Sequence, residues 1–561
     1  MRLNTSLFVG IIIIAAVLRF WDLGVVPVSP DWDEVALGYN AYSILQTGRD
    51  EYGEFLPIVL RSFDDYKPAL YAYCIIPFIK LFGLSTFSIR LPSAITGVLM
   101  IIGIYYLIGE FFLFHKSKNE NVYTRWVPLI TSALLAISPW HLQFSRVAFE
   151  SSVGTAFNIF GTLFFLKGLR KGWYFPLSAF FYGLSLYTYQ SEKAFVPLLL
   201  IALLCLLYKH IFSLDKKYVI VSIFLGLIIS LPIISFTLFN KQSLSRAVGV
   251  SIFSDKNSLL QRNVQDIIRD KEANNKLGLF LDNRRFIYAK TVVLSYINHF
   301  DINWLFIRGD YNLPRHHAPD IGLLYIIEFP FILIGIYQLI FNNNFFGIDK
   351  KIKYLIFSWY LLAPIPASVT IDAPHSVRTL NLVAIYPIFT AFGIITAYLF
   401  CKNLPSKKIL KVTGAVCILV IFTLNFSYYI NQYFVQQNYY HAKYWQYGYK
   451  ELVDYVDTIK GNYNKIIVSN TETMDQSHMF FLFYLQYDPK KYLSEGGTYS
   501  RGFAENKNKF SNFEFRKFDI YKETEANTLF IGAPSDFPEA LHRLHTIYYP
   551  DKEPAIYIAQ H

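Results

Sequence analysis

Charge is scarce in this chain. Only 17% of its 561 residues are Asp, Glu, Lys or Arg, against 53% hydrophobic and 18% aromatic, which excludes an ordinary soluble protein of this length. Cysteine is scarcer still. Cys74, Cys205, Cys401 and Cys417 fall in or beside apolar segments without CxxC or Cys/His ligand spacing, so neither a disulfide framework nor a cysteine metal site is present. No Gly-rich phosphate loop occurs, "IGAPSDF" being a strand-end turn. There is also no internal repeat and no inverted pair of broken helices of the transporter kind. The first apolar segment, "TSLFVGIIIIAAVL", runs into "RFWDLG" without a small-residue cleavage pattern, and reads as an uncleaved span.

What the chain does have is long apolar runs, near 5–23, 89–113, 127–142, 151–168, 173–190, 194–209, 217–238, 321–342, 353–371, 378–400 and 411–430. At about 20 residues to cross the hydrocarbon, they predict a polytopic α-helical membrane protein with about 11 transmembrane helices. The loops after every second run carry Lys116, Lys118 and Arg125; Lys167, Arg170 and Lys171; Lys209, Lys216 and Lys217; Lys350, Lys351 and Lys353; and Lys402, Lys407, Lys408 and Lys411. The positive-inside rule puts these loops in the cytoplasm. The formal charge of +11 is thereby explained by orientation, and no nucleic-acid partner is implied. The N-terminus is then cytoplasmic, provided that "KPALYAYCIIPFIKLFG" lies on the outer surface as an interfacial helix between Pro68 and Gly83.

This phase sends most polar stretches to one side: loops 24–88 and 239–320, "SPWHLQFSRVAFESS", "TYQSEK" and "APHSVR". Beyond about residue 440, short β-type runs ("NKIIVSN", "FEFRKFDI", "NTLFIGAP", "HTIYYPD", "AIYIAQ") surround a helical "SHMFFLFYLQY". They predict a small extracytoplasmic α/β domain over 440–561, after a membrane domain over 1–435.

The outer side gathers ionisable groups. In "SPDWDE", Asp31 and Glu34 have capping-box spacing, while Asp33 sits in the first helical turn, where the dipole favours its ionised form. A solvated first-turn aspartate is the plain alternative. Arg146 and Glu150, four apart, share a face if that stretch is helical, where a surface ion pair is the simpler reading. Glu192 and Lys193 end another loop, with a snorkelling lysine as the plain alternative. Arg315, His316 and His317 are consecutive, and His375 and Arg378 stand three apart at the entrance of a run. Adjacent histidines without a carboxylate at clear spacing are weak metal signals. Acids and cations together at headgroup depth suit attack by a hydroxyl or amine with departure of a phosphate: a base takes the proton and cations stabilise the leaving charge. A lipid-attached donor explains the missing nucleotide fold.

In order, "DEVALGYNAY", "YKPALYAYCIIPFIKLFGLSTFSIRLPSAITG", "SPWHLQFSRVAFESS" and "SVRTLNLVAIYP" resemble the GT-C glycosyltransferases of the protein O-mannosyltransferase and aminoarabinose-transferase type, over most of residues 1–400. The resemblance implies inverting transfer of a sugar from a polyprenyl-phosphate donor to a protein, lipid or glycan acceptor on the extracytoplasmic face of the cell membrane. By it, Asp33 matches the general base, Glu34 its motif neighbour and Glu150 the acid of the second loop. Lys67, Arg90 and Arg146 match basic positions of the family and Arg378 the one that meets the lipid phosphate, and together with His375 they are the candidates for donor or lipid-phosphate binding. Glu192, Lys193, Arg315, His316 and His317 remain candidates for substrate or metal contact, with no cofactor assigned and a divalent metal compatible. The chain departs from the aminoarabinose-transferase pattern at Tyr66, where that branch has an acid. A surface-polysaccharide polymerase or ligase and a non-catalytic glycolipid transporter are the competing readings. Against the transporter, the ionisable residues gather at run ends rather than inside the runs.

Overall fold

The structure, a computed structural model, describes residues 2–63, 65–114, 122–240, 249, 251–254, 259–342, 347–403, 405, 408–499, 508–523, 525–538 and 541–560. Lys116, Lys118 and Lys407 lie outside them. Each apolar run contains a helix, but the helices are unequal. Five are long and apolar enough to cross a membrane: Thr86–Leu113, Glu192–Ile211, Lys216–Phe239, Leu380–Asn403 and Lys408–Tyr440. A sixth arises if Tyr123–Ile137 and Pro139–Ser145, bent by 59°, form one broken span. The count of 11 is therefore not reproduced, and the reason lies in composition and length. Glu150–Gly168 buries Ser151, Ser152, Thr155, Asn158 and Thr162, which lowers its hydropathy, while Phe175–Ser185 and Lys350–Leu362 are short. The helices Asn4–Phe20 and Glu328–Phe341 are apolar but also short.

The segment between Pro68 and Gly83 forms the helix Leu70–Phe82, ended by Gly83 at φ +77°, a conformation glycine adopts without steric cost. Before it, β1 (Val59–Ser62) and β2 (Asp65–Pro68) pair as an antiparallel ribbon. Segment 239–320, where no pattern is legible in the sequence, contains the helices Leu259–Glu272, Lys276–Leu281 and Arg284–Asn298 and a wide turn at Trp304–Arg308.

The C-terminal part builds a mixed six-stranded sheet from β3 (Lys465–Val468), β4 (Asn508–Phe510), β5 (Phe513–Phe515), β6 (Thr528–Gly532), β7 (Arg543–Tyr548) and β8 (Pro554–Gln560), in the order β4-β5-β3-β6-β8-β7. β5, β3 and β6 run parallel. The five β-type runs read from the sequence all supply strands, β4 is additional, and the apolar run between them is the helix Ser477–Tyr484. This unit shares one hydrophobic core with the helices Trp32–Thr47 and Leu70–Phe82: Val35, Tyr39, Ala72 and Ile75 pack with Phe480, Phe483, Ile466 and Ile558. Contact is close at Gly38, where a Cβ would fall 2.8 Å from both Ile89 and Phe483. Tyr39 Oη donates to the Tyr487 carbonyl at 3.1 Å and Thr498 Oγ1 to Glu51 Oε2 at 2.5 Å. The sheet thus braces the helix that begins at Trp32.

Candidate active site

The helix Trp32–Thr47 starts with the capping box its sequence spells. Asp31 is extended, its Oδ1 accepts from the Glu34 amide at 2.9 Å, and Glu34 Oε2 accepts from the Asp31 amide at 3.2 Å. Both carboxylates are buried, and each meets an arginine. Arg315 pairs with Asp31 Oδ2 and lies 4.9 Å from the Trp32 ring. Burial pushes the Asp31 carboxyl up to about 6, against the opposing pull of the Arg315 cation.

Arg90 accounts for Glu34. Its Nε and Nη2 donate to Glu34 Oε1 and Oε2, each at 2.9 Å, and Nη2 also donates to the Ser29 carbonyl at 2.9 Å. Its Nη1 donates to the Leu23 and Pro27 carbonyls at 3.2 and 2.9 Å. A guanidinium has five N–H donors, and these five bonds occupy them all. Arg90, expected against the lipid phosphate, is instead fully buried and ties the loop 23–29 to the helix start. The Ala148 amide adds a bond to Glu34 Oε1 at 2.8 Å, so Glu34 also anchors the second loop.

Asp33 is placed differently. Its side chain is 28% exposed and its partner is the Lys67 ammonium, presented by β2. The sequence-predicted Asp33 and Lys67 are therefore brought into contact by elements 34 residues apart.

Arg146 and Glu150 do not share a helical face. The chain breaks between Ser145 and Glu150, and Phe149 is extended. Arg146 is buried, donates to the Leu18 and Val26 carbonyls at 2.7 and 3.0 Å and lies under the rings of Tyr433 and Phe434. Glu150 is buried at the first position of the next helix. The exposed ion pair considered from spacing alone is replaced by two separate buried positions. Glu192 is buried too, accepting from Asn158 Nδ2 at 2.6 Å and Asn381 Nδ2 at 2.9 Å. Lys193 Nζ donates to Thr237 Oγ1 at 3.2 Å.

The neighbours His316 and His317 turn to opposite sides. His316 Nδ1 lies 2.8 Å from Asp310 Oδ2, and its ring is 5.0 Å from that of His375. Phe144 and Phe149 flank it at 5.8 and 5.9 Å. This links the cluster to the loop that holds Glu34. Arg378 Nη1 donates to Thr370 Oγ1 and the Ile371 carbonyl at 2.7 and 2.8 Å, and its amide faces His375 Nδ1 at 3.4 Å. Asp310 escaped the sequence reading, although it stands in "RGDYNLPRHH" six residues before His316.

Among the described residues, Asp310, His316 and His375 form a group that could hold a metal ion, their ligand atoms lying within 4.8 Å of one another. The donor set suits a divalent ion. The carboxylate is already engaged: Asp310 Oδ1 accepts from Trp304 Nε1 at 2.6 Å, and Oδ2 meets Ser376 N at 2.9 Å, Ser376 Oγ at 2.5 Å and His316, which crowds Oδ2 and leaves one acceptor site on Oδ1. Burial pushes the Asp310 carboxyl up, but the His316 and Ser376 bonds outweigh it and hold the group below its usual range. Burial also lowers His316 and His375. The arrangement is that of an ionised aspartate orienting a neutral histidine.

Residues 66–236 match the family described as dolichyl-phosphate-mannose-protein mannosyltransferase. No curated protein matches the chain. Among solved structures, ArnT from Cupriavidus metallidurans, in the apo state and bound to undecaprenyl phosphate, is similar with a TM-score of 0.53 and 11% identity, over 99% of this chain and 97% of that one. The chain shares its fold with ArnT. The chain is also similar to the oligosaccharyltransferase AglB from Archaeoglobus fulgidus, in complex with an inhibitory peptide and a dolichol-phosphate, with a TM-score of 0.49 and 13% identity. It covers 63% of AglB, less than two thirds of that protein, while AglB covers 86% of this chain.

Proposed function

We propose that this protein transfers a sugar from a polyprenyl-phosphate donor to an acceptor on the extracytoplasmic face of the cell membrane, with inversion and with Asp33 as general base. The observation that carries the reading is the Asp33–Lys67 pair. Of the three carboxylates at the helix start, two are buried against arginines, while Asp33 remains 28% exposed beside a mobile type of cation. The undecaprenyl phosphate bound to ArnT supports the donor class.

In the reaction, the acceptor oxygen or nitrogen forms a bond to the anomeric carbon while the bond from that carbon to the phosphate oxygen breaks. The electron pair leaves with the polyprenyl phosphate, and the acceptor proton passes to Asp33. Lys67, with Arg378 as a second cation, offsets the charge growing on the phosphate. Arg90, Arg315 and Glu34 position the base without touching substrate. The basic loops support a cytoplasmic N-terminus and an extracytoplasmic C-terminal sheet.

Purified Asp33→Asn should stay folded and bind polyprenyl-phosphate sugar, yet lose about 10²–10⁴-fold in transfer rate, the usual contribution of a general base. Transfer by Asp33→Asn at close to the wild-type rate would assign the base elsewhere.

A further inference from the structure

The helices Leu259–Glu272, Lys276–Leu281 and Arg284–Asn298 leave most of their large apolar side chains uncovered. By helical periodicity, Val264 and Ile268 share one stripe of the first helix, with Arg262, Asp266 and Arg269 on the opposite side. Phe286, Val293 and Ile297 form an equivalent stripe on the last helix, opposite Tyr288 and Ser295. Leu277 and Phe280 stand on the short helix between them. These seven side chains are 41–68% exposed, as open as Leu227 and Ile228, at 50% and 53%, on the candidate span Lys216–Phe239. An apolar surface of this extent outside the spans marks an interaction site.

The last helix meets the membrane part at a depth that can be bounded. Tyr296 Oη donates to the Leu361 carbonyl at 2.9 Å, and the Phe300 ring lies 5.1 Å from that of Tyr360. Leu361 stands about 16 Å along its helix from Lys350, at 1.5 Å per residue. With the basic loop at one boundary of a hydrocarbon layer about 30 Å thick, Tyr296 reaches acyl chains rather than water. The helix is capped by His299, which is buried and accepts through Nε2 from the His375 amide at 3.3 Å. That bond ties the three helices to the cluster of Asp310, His316 and His375.

Charge narrows the choice of partner. Over residues 259–298, seven Lys or Arg stand against four Asp or Glu, a net charge of +3. Asp266 is taken by Arg262 and Arg269 at 3.7 and 3.1 Å. Lys271 follows Ile268 by three positions and Lys290 follows Phe286 by four, so both continue the apolar stripes, where a lysine stem lies along apolar surface and its ammonium reaches outward. A second copy of this chain would set +3 against +3, which like-charge contact disfavours. A leaflet that carries anionic phosphates above its acyl chains complements both the stripes and the charge.

We infer that these three helices seat in the outer leaflet, their apolar stripes among the upper acyl chains and Lys271 and Lys290 on the phosphates of anionic phospholipid. The surface needs neither Asp33 nor the transfer reaction proposed above; it shares with that reading only the side of the membrane.

Spin labels measure the seating directly. In a background without the four cysteines, nitroxides are attached at Ile268→Cys, Phe280→Cys and Ile297→Cys on the stripes and at Arg262→Cys on the polar side. Full-length protein is held in nanodiscs of phosphatidylcholine and phosphatidylglycerol in equal parts, and collision of each label with oxygen, which concentrates in lipid, is compared with collision with a water-soluble nickel chelate. The oxygen-to-nickel ratio should be about fivefold higher on the stripes than at Arg262→Cys, as for an interfacial helix. Omitting phosphatidylglycerol, or Lys271→Gln/Lys290→Gln, should lower the stripe ratio about twofold. Stripe labels as open to nickel as the polar one place the helices in water and overturn the inference. Stripe labels shielded from both reagents, in nanodiscs and in detergent alike, place them against protein and also overturn it. A high stripe ratio that is the same in phosphatidylcholine alone overturns the assignment to anionic headgroups.

Discussion

Arg90→Met separates the two roles an arginine can take at this site. All five guanidinium donors are engaged, two on Glu34 and three on the carbonyls of Leu23, Pro27 and Ser29. Arg90 is 0% and Glu34 1% exposed. Methionine matches much of the arginine stem but leaves Glu34 as a buried charge held by two amides only. Breaking a buried pair from one side costs about 3–5 kcal/mol, and each carbonyl left bare adds about 1 kcal/mol. Replacing both partners with apolar groups removes the stranded charge, so Arg90→Met/Glu34→Leu should be more stable than Arg90→Met alone. Thermal unfolding of the purified single and double variants measures this coupling. Transfer should fall with stability in Arg90→Met, through a lower kcat as Asp33 is displaced, rather than through a raised donor KM. Wild-type stability with a strongly raised donor KM would refute the reasoning and return Arg90 to the phosphate.

Asp31 gives a pH signature. Its carboxyl rises from 3.8 to about 6 through burial, so its contribution to stability is fully present below the unfolded value and is lost as pH rises through about 6. Asp31→Asn should flatten the dependence of the thermal midpoint on pH between about 4 and 6, and an unchanged slope would contradict this. The orientation is tested by thiol labelling in a background without the four cysteines: Asp33→Cys should react with an impermeant reagent from outside, and Lys351→Cys only after permeabilisation. The reverse pattern would invert the topology and with it the side on which transfer occurs.

Local signals in the sequence survived well. The capping box at Asp31, the helix between Pro68 and Gly83, and the five β-type runs depend on neighbours within a few residues, and each is found in place. Pairings across the chain were not legible. Nothing local marks Arg90 as the partner of Glu34, 56 positions away, or Arg315 as the partner of Asp31, 284 positions away. Arginines at run ends look alike in one sequence whether they face a lipid phosphate or a buried carboxylate. Asp310 was passed over because its spacing to His316 follows no helical or ligand rule; a tight turn at Gly309, φ +59°, brings the two together. The span count is not reproduced for a related reason. Buried polar residues in Glu150–Gly168 lower its hydropathy below that of a lipid-facing helix.

The three carboxylates at the helix start differ in the cation each meets, and that difference fits a division of labour. A buried ionised carboxylate is tolerated only with its lone pairs satisfied, and an arginine fork does this in a fixed geometry. Arg90 on Glu34 is such a fixture, and Arg315 meets Asp31 through one Nη1 contact to Oδ2, so both anchor the first turn of the helix. Lysine is a point charge on a flexible stem, and it is the lysine that meets the partly exposed Asp33. An incoming phosphate can draw an ammonium away from one carboxylate oxygen far more readily than it can unseat a bidentate guanidinium. In the proposed reaction, donor binding therefore does two things at once: it neutralises the leaving group with Lys67 and leaves Asp33 able to accept a proton. A base paired to arginine at this position would remain masked whether or not the donor was bound.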